Sequence, residues 1–143
     1  MLALSIKQAW ATLICYGHKT IELRDWSTKR TIDSQWILIH TGRNKDKNAP
    51  KEAWDLVKQY ELHRAKKALI GVAYYDKRFI FENEKQFENT RELHLSGLSY
   101  QQGLSGMILK DARPLNKPIE YSGRLLFFDV PSEMLPKNIR ELT

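Results

Sequence analysis

The sequence predicts an α+β fold, a small mixed β-barrel of five to six strands with two principal helices packed at its ends. Apolar runs typical of strands recur along the chain and follow one another in its second half. Only two segments have the apolar spacing of an amphipathic helix. The strand–helix alternation of a doubly wound parallel sheet is missing, which favours a small barrel.

Length and composition indicate one domain over residues 1–143, with an insertion at about residues 82–105. Hydrophobic residues make up 42% and charged residues 28% of the chain, which excludes a wholly disordered protein. No apolar run approaches the roughly 20 residues of a membrane span, and the N-terminus lacks a signal-peptide pattern. Cys15 is the only cysteine, so no intrachain disulfide forms. We therefore expect a cytoplasmic protein without a membrane partner, and a monomer by default.

The first helix is predicted over residues 6–16, after an apolar lead-in at residues 2–5. Ser5 and Gln8 have the spacing of a capping box, in which each side chain bonds the backbone amide of the other residue. Gly17 is placed to adopt the left-handed conformation that ends a helix.

Two strands and a second helix follow. Residues 20–24 alternate apolar and polar side chains, and residues 36–40 are dense in apolar residues, as in a central strand. Residues 41–48, here named the basic loop, carry three cations. Pro50 suits the first turn of a helix that extends to about Leu62.

The second half of the chain predicts the remaining strands. A β-rich run covers residues 67–81, and Gly71 within it indicates a bulge or bend. Residues 82–105 are read as an insertion with some helix. Two further strands are predicted at residues 107–115 and 125–130.

The positive charge of the protein lies in its first half. Residues 1–70 contain 13 basic and 7 acidic groups, whereas residues 71–143 contain 10 of each, and the whole chain has a net charge of +6. A basic half indicates an anionic partner, of which nucleic acid is the commonest. We expect a basic cleft lined by Lys7, Lys19, Arg24 and residues 43–47 of the basic loop.

Three charged residues form the centre of the predicted site. Lys19 follows the helix stop, and Glu22 and Arg24 lie two residues apart on one face of the next strand. A planar guanidinium and a point-charge ammonium suit recognition of a phosphate or a base edge. The alternative is a structural ion cluster that fixes the strand to the helix.

The segments Ser5-Ile-Lys-Gln-Ala-Trp-Ala11 and Gly17-His-Lys-Thr-Ile-Glu-Leu-Arg24, followed by Trp26, Thr28 and Ile39-His40, resemble the ASCH domain family of the PUA-like superfamily. The chain departs from the family pattern at Ala9, where relatives carry proline, and at residues 29–33. The resemblance covers almost the whole chain. It implies a β-barrel with a cleft that binds RNA or nucleotides.

The wider superfamily also implies an enzymatic alternative. Some relatives hydrolyse N4-acetylcytidine with a lysine, a threonine and a glutamate, and their motif reads Lys-x-x-Thr. This chain reads Lys19-Thr-Ile-Glu22, so Lys19 matches and Glu22 takes the place of the threonine. Glu22 beside Lys19 has the chemistry of a general base, but it cannot replace a hydroxyl nucleophile without a change of mechanism.

The remaining candidates come from aromatic residues, histidines and the basic loop. Trp26 is predicted at the cleft rim, where an indole stacks on a base, whereas the other three tryptophans are predicted in the core. Histidine and cysteine spacing fits no metal site, and no cofactor is expected. The predicted binding residues are Lys7, Gln8, Lys19, Glu22, Arg24, Trp26, His40, Arg43 and Lys45; Lys19 and Glu22 are catalytic if the protein is an enzyme.

Three functions remain open from the sequence. The first is binding of RNA, single-stranded nucleic acid or a modified nucleoside through the basic cleft. The second is a hydrolase, an amidohydrolase or a ribonuclease, that uses Lys19 and Glu22. The third is a protein-interaction or regulatory domain, in which residues 82–105 form the functional surface and the charged cluster is structural.

Overall fold

A computed structural model describes residues 1–25 and 31–137. The elements in chain order are β1 (Leu2–Ser5), α1 (Trp10–Cys15), β2 (Ile21–Arg24), β3 (Gln35–Thr41), α2 (Lys51–Val57), β4 (Ala68–Ile80), α3 (Glu84–Asn89), α4 (Arg91–His94), β5 (Ser105–Glu120) and β6 (Phe127–Asp129). Short 3-10 helices cover Glu61–Arg64 and Ser132–Met134. The predicted α+β class is confirmed. No helix in these two ranges is long and apolar enough to cross a membrane.

The six strands form one mixed sheet in the order β2-β5-β4-β3-β1-β6. The β1–β3 pair is parallel, and the other neighbours pair antiparallel. Within the described ranges β2 and β6 are the edge strands and do not pair with each other. The sheet is therefore open, and the closed barrel expected from the sequence is not confirmed.

Strand β5 is longer than predicted, whereas β4 agrees with the predicted run at residues 67–81 to within one residue at each end. β4 has 13 residues and β5 has 16, and β5 extends to Glu120, beyond the predicted end at residue 115. The pairing passes from Leu69↔Ile119 to Gly71↔Pro114, so β5 holds several more residues than β4 at this irregularity. β5 thereby continues past its prolines, and the bulge or bend predicted at Gly71 is confirmed.

The N-terminal segment is a strand and not the predicted lead-in to a helix. Ser5 donates its backbone N–H to the Leu126 carbonyl at 3.0 Å, and β1 lies between β3 and β6. Helix α1 consequently begins at Trp10, and the predicted capping box does not form. The Gln8 side-chain oxygen instead accepts hydrogen bonds from the backbone N–H of Thr12 at 3.1 Å and from its hydroxyl at 2.8 Å.

Helices α1 and α2 pack on one face of the sheet and form the main core with apolar residues of β1, β3, β4 and β5. A second cluster, which includes Leu38, Val72 and Phe128, covers the other face. Trp10 is buried, as predicted. The prediction is wrong for Trp36, which is 43% exposed: it lies at the start of β3, before the strand becomes buried on both faces, and packs edge-on against Tyr74.

Residues 82–105 contain α3 and α4 and pack against the β2 end of the sheet. Phe87 is fully buried, with its ring centroid 5.3 Å from that of Phe81 and 4.3 Å from that of His94. Thr20 donates its backbone N–H to the Leu93 carbonyl at 2.9 Å. The segment is therefore fixed to the chain that enters β2.

Candidate functional site

A cavity of about 520 Å³ lies where the ends of β1 and β2 meet the start of α1, the basic loop and residues 96–98. This volume is within the usual range for small-molecule sites. Its lining combines charged, amide and apolar side chains: Ser5, Lys7, Trp10, Lys19, Glu22, Leu23, Arg24, Gly42, Arg43, Asn44, Asp46, Asn48, Ser96, Leu98, Leu125 and Leu126.

Lys19 is the most deeply buried charged group of the cavity, with 2% of its surface exposed. Gly17 adopts φ +78° after α1, and the backbone N–H of Lys19 then bonds back to the Leu13 carbonyl at 3.1 Å. This turn directs the lysine inward. Its ammonium donates to the backbone carbonyl of His94 and lies 4.6 Å from the centroid of the Trp10 ring.

Glu22 lies between two cations. Its Oε1 is 3.7 Å from the Lys19 Nζ, and its Oε2 accepts a hydrogen bond from Arg24 Nη2 at 3.2 Å. Arg24 Nη2 also donates to the Ser5 carbonyl at 2.9 Å. The buried Arg24 Nε has no hydrogen-bond partner among the described residues. The structure thus brings the three central residues together; we name this trio Lys19–Glu22–Arg24 the polar floor.

Burial changes the acidity of Lys19. Removal from water disfavours the ammonium and lowers its pKa from 10.5 to about 8, although the Glu22 carboxylate opposes this shift. At neutral pH the ammonium form still predominates. A modest rise in pH therefore removes the charge.

This acidity predicts a measurable effect of pH on stability. Between about pH 8 and pH 10.5 the unfolded chain holds the Lys19 proton that the folded chain has lost. The contribution of Lys19 to the free energy of unfolding therefore increases with pH in this window, by at most about 1.4 kcal/mol per pH unit. Urea unfolding of the parent and of Lys19→Met should show a stability difference that shifts in favour of the parent as pH rises. A difference that stays constant from pH 7 to 10.5 would contradict the prediction.

The basic loop supplies a second polar wall. Trp10 Nε1 donates to Asp46 Oδ2 at 2.7 Å, and the Asp46 backbone N–H bonds to the Gln8 carbonyl at 2.6 Å. These bonds hold the loop against α1, so Asn44 and Asn48 line the cavity. Asn44 and Asp46 fall within residues 43–47, which were predicted to line the cleft, whereas Asn48 was missed because a polar residue in a loop gives no signal of the wall it forms.

Apolar side chains form the remaining wall. Leu98 is 55% exposed and Leu125 is 89% exposed, and both line the cavity together with Leu23 and Leu126. Sequence reasoning missed these leucines too, because their position depends on how residues 82–105 and the start of β6 approach β2. The cavity therefore has one charged end and one apolar side.

The predicted basic cleft is present in part. Lys7 and Arg43 are exposed and line the cavity with Lys19 and Arg24. Lys45 does not line the cavity, and its Nζ lies 5.6 Å from the centroid of the Trp54 ring. Lys47 is likewise absent from the lining. The lining also includes two carboxylates, so the cavity is mixed in charge with a cationic excess.

Two other predicted binding residues lie outside the lining. The Gln8 side chain is buried, and its amide nitrogen donates to the Leu62 carbonyl at 3.2 Å. His40 is also buried, and Nε2 donates to the Tyr121 carbonyl at 2.8 Å while Nδ1 accepts from the Ser5 hydroxyl at 3.2 Å. Burial lowers the pKa of His40, which favours neutral imidazole. Trp26 lies outside the described residues.

The sequence profile of the ASCH domain matches residues 4–119 of this chain. The chain belongs to the ASCH domain family. The resemblance stated from the sequence is thereby confirmed. Seven of the residues that carry it line the cavity: Ser5, Lys7, Trp10, Lys19, Glu22, Leu23 and Arg24. No curated protein matches the chain.

Solved structures of an ASCH protein from Zymomonas mobilis have a similar fold. The parent structure has 16% sequence identity and a TM-score of 0.59, with 93% of this chain and 89% of that chain covered. Two single-residue variants of the same protein give TM-scores of 0.62 and 0.60 at 16% identity, with 93% of this chain covered and 91% and 89% of theirs. At 16% sequence identity, the similarity of these structures to this chain shows a shared fold.

Proposed function

We propose that this ASCH domain binds one ribonucleotide unit in its cavity, either as a free nucleoside or as part of single-stranded RNA. The observation that carries this proposal is the polar floor, a carboxylate held between two cations at the buried end of the cavity. Such a group of donors and acceptors suits the edge of a nucleobase better than it suits a bare anion, because Glu22 repels a phosphate.

The exposed residues Lys7 and Arg43, which we name the rim of the cavity, have the chemistry expected of a phosphate-binding site. Lys7 and Arg43 are exposed, line the cavity and make no ion pair with any residue in the described ranges. Their charges are therefore available to an anionic backbone that enters from solvent. The distribution favours a base at the floor and a phosphate at the rim.

The apolar side of the cavity supports the same orientation. Leu98, Leu125 and Leu126 offer apolar contact area to a flat heterocycle whose polar edge lies at the floor. The similarity of the sequence to the PUA-like superfamily, in which RNA or nucleotide binding is expected, supports the same class of ligand.

The test is RNA binding by variants of the rim. Fluorescence anisotropy with a short single-stranded RNA should show at least tenfold weaker binding for the double variant Lys7→Gln, Arg43→Gln. The slope of log affinity against log salt should decrease by about 1.4, since each lost phosphate contact on a single strand contributes about 0.7.

A matched double variant, Lys85→Gln with Lys117→Gln, controls for net charge. Both lysines are exposed and outside the cavity lining. It should bind within about twofold of the parent. Equal losses in the two double variants would show that charge alone, and not the rim, drives binding.

A second candidate function is hydrolysis of a nucleoside amide such as N4-acetylcytidine. The observation that favours it is a lysine with a pKa of about 8 beside a buried carboxylate, which pairs a proton donor with a proton acceptor. Position 22 carries no hydroxyl, so the nucleophile would be water activated by Glu22. Mass spectrometry of N4-acetylcytidine incubated with the protein detects cytidine and acetate if this reaction occurs, and unchanged substrate rules it out.

A further inference from the structure

We propose that the polar floor selects uracil over cytosine, because Lys19, Glu22 and Arg24 present hydrogen-bonding groups in the order donor, acceptor, donor. This selectivity rests on the ribonucleotide binding proposed above. It names the base that occupies the buried end of the cavity.

The order of the three groups follows from the contacts of Glu22. One carboxylate oxygen faces the Lys19 ammonium at 3.7 Å, and the other faces the Arg24 guanidinium at 3.2 Å. The acceptor is therefore central, with a donor on each side. All three side chains line the cavity.

Each group keeps hydrogen-bonding capacity for a ligand. The ammonium has three N–H donors, of which one is directed at the His94 carbonyl. The guanidinium has five donors, and both hydrogen bonds described for it, to Glu22 and to the Ser5 carbonyl, come from Nη2, so the Nη1 donors remain for a ligand. A carboxylate has about four acceptor positions, so Glu22 can accept from a ligand while it faces both cations.

Uracil is the RNA base whose edge matches all three groups. Its O4 and O2 are acceptors on either side of the N3–H donor, so O4 and O2 meet the two cations and N3–H meets Glu22. If the ring is turned over about the axis through N3 and C6, O4 and O2 exchange places and the three hydrogen bonds can still form. The ring therefore satisfies the polar floor in both orientations.

Cytosine fails at the centre of the floor. Its N3 is an acceptor and faces the Glu22 carboxylate in either orientation, and its exocyclic amine faces one of the cations. Lys19 is 2% exposed and Glu22 is 5% exposed, so water does not readily compensate for these unmatched groups. Sites that leave buried polar groups unpaired discriminate strongly between similar ligands.

Calorimetric titration of the parent protein with four nucleosides tests this selectivity. Uridine and 5-methyluridine, which share the same edge, should bind with affinities within about threefold of each other. Cytidine should bind at least tenfold more weakly than uridine. In 3-methyluridine the N3–H is replaced by a methyl group, and its affinity should also fall at least tenfold.

The variant Glu22→Gln adds a test of the central acceptor. A carboxamide can accept from uracil N3–H or donate to cytosine N3, so the ratio of uridine to cytidine affinity should fall towards one. This ratio does not depend on a general loss of affinity. If the variant does not fold, the four-nucleoside series on the parent decides the question.

The outcomes separate the two levels of the proposal. If cytidine or 3-methyluridine binds as tightly as uridine, the donor–acceptor–donor selection is wrong while nucleoside binding stands. If neither the nucleosides nor short RNA bind at millimolar concentration, ribonucleotide binding itself is overturned. Tight uridine binding with the expected losses for the other two ligands supports both.

Discussion

Replacement of Glu22 with leucine is expected to lower the free energy of unfolding by about 3 kcal/mol or more. The change removes the carboxylate that faces both Lys19 and Arg24 and leaves two cations at the buried end of the cavity. Loss of one partner from a buried ion pair costs about 3–5 kcal/mol, because the remaining charge is neither solvated nor paired. Arg24 is partly exposed, so the lower part of this range is the better expectation. Urea unfolding at pH 7 measures the loss.

A double-mutant cycle gives the control for this prediction. Lys19→Met keeps the Glu22–Arg24 pair and removes a buried charge, so it should destabilise the protein less than Glu22→Leu. The combined variant Lys19→Met, Glu22→Leu should recover part of the stability lost in Glu22→Leu, since no unpaired ammonium remains. Additive effects in the cycle would show that the two residues are not energetically coupled.

Substitution of Gly71 by alanine is expected to cost about 3 kcal/mol of unfolding free energy. A Cβ at this position would lie 2.3 Å from Cys15 Sγ and 2.8 Å from the backbone carbonyl oxygen of Arg113. A fully buried thiol on α1 and a paired β5 backbone cannot both move away without a loss of packing. Overpacking of a tight core typically costs 1–3 kcal/mol and occasionally more.

Two comparisons isolate the cause of this loss. Gly42→Ala adds the same methyl group where no atom lies within 4 Å, so its effect should stay within about 0.5 kcal/mol. Cys15→Ala combined with Gly71→Ala removes the sulfur contact but not the Arg113 contact, so it should restore only part of the stability. If Gly71→Ala melts like the parent, α1 does not pack as closely on β4 as described.

The sequence predicted the polar floor because its signals are local. Gly17 ends the helix, and strand alternation places Glu22 and Arg24 on one face, so short-range geometry brings them together. It did not predict how deeply Lys19 is buried. That burial depends on the His94 carbonyl, which lies 75 positions further along the chain.

The strands were predicted better than their pairing. Periodicity locates β3 and β4 within a few residues, whereas the three apolar residues of β1 predict only a lead-in to the helix, because so short a segment carries no sign of its partner strands. Its place between β3 and β6 is set by contacts with distant segments. Whether the edge strands close into a barrel is likewise a property of long-range curvature that no local pattern encodes.

The bond from Lys19 to the His94 carbonyl makes the floor depend on a segment that contributes no strand to the sheet. Proteins open locally in cooperative units of different stability, and the less stable units are those with fewer buried contacts to the rest of the fold. Local opening of α3 and α4 would release the ammonium while the sheet stays folded. The floor therefore depends on the docking of residues 82–105, in which Phe87 is fully buried against Phe81, as well as on the strand that carries Glu22 and Arg24.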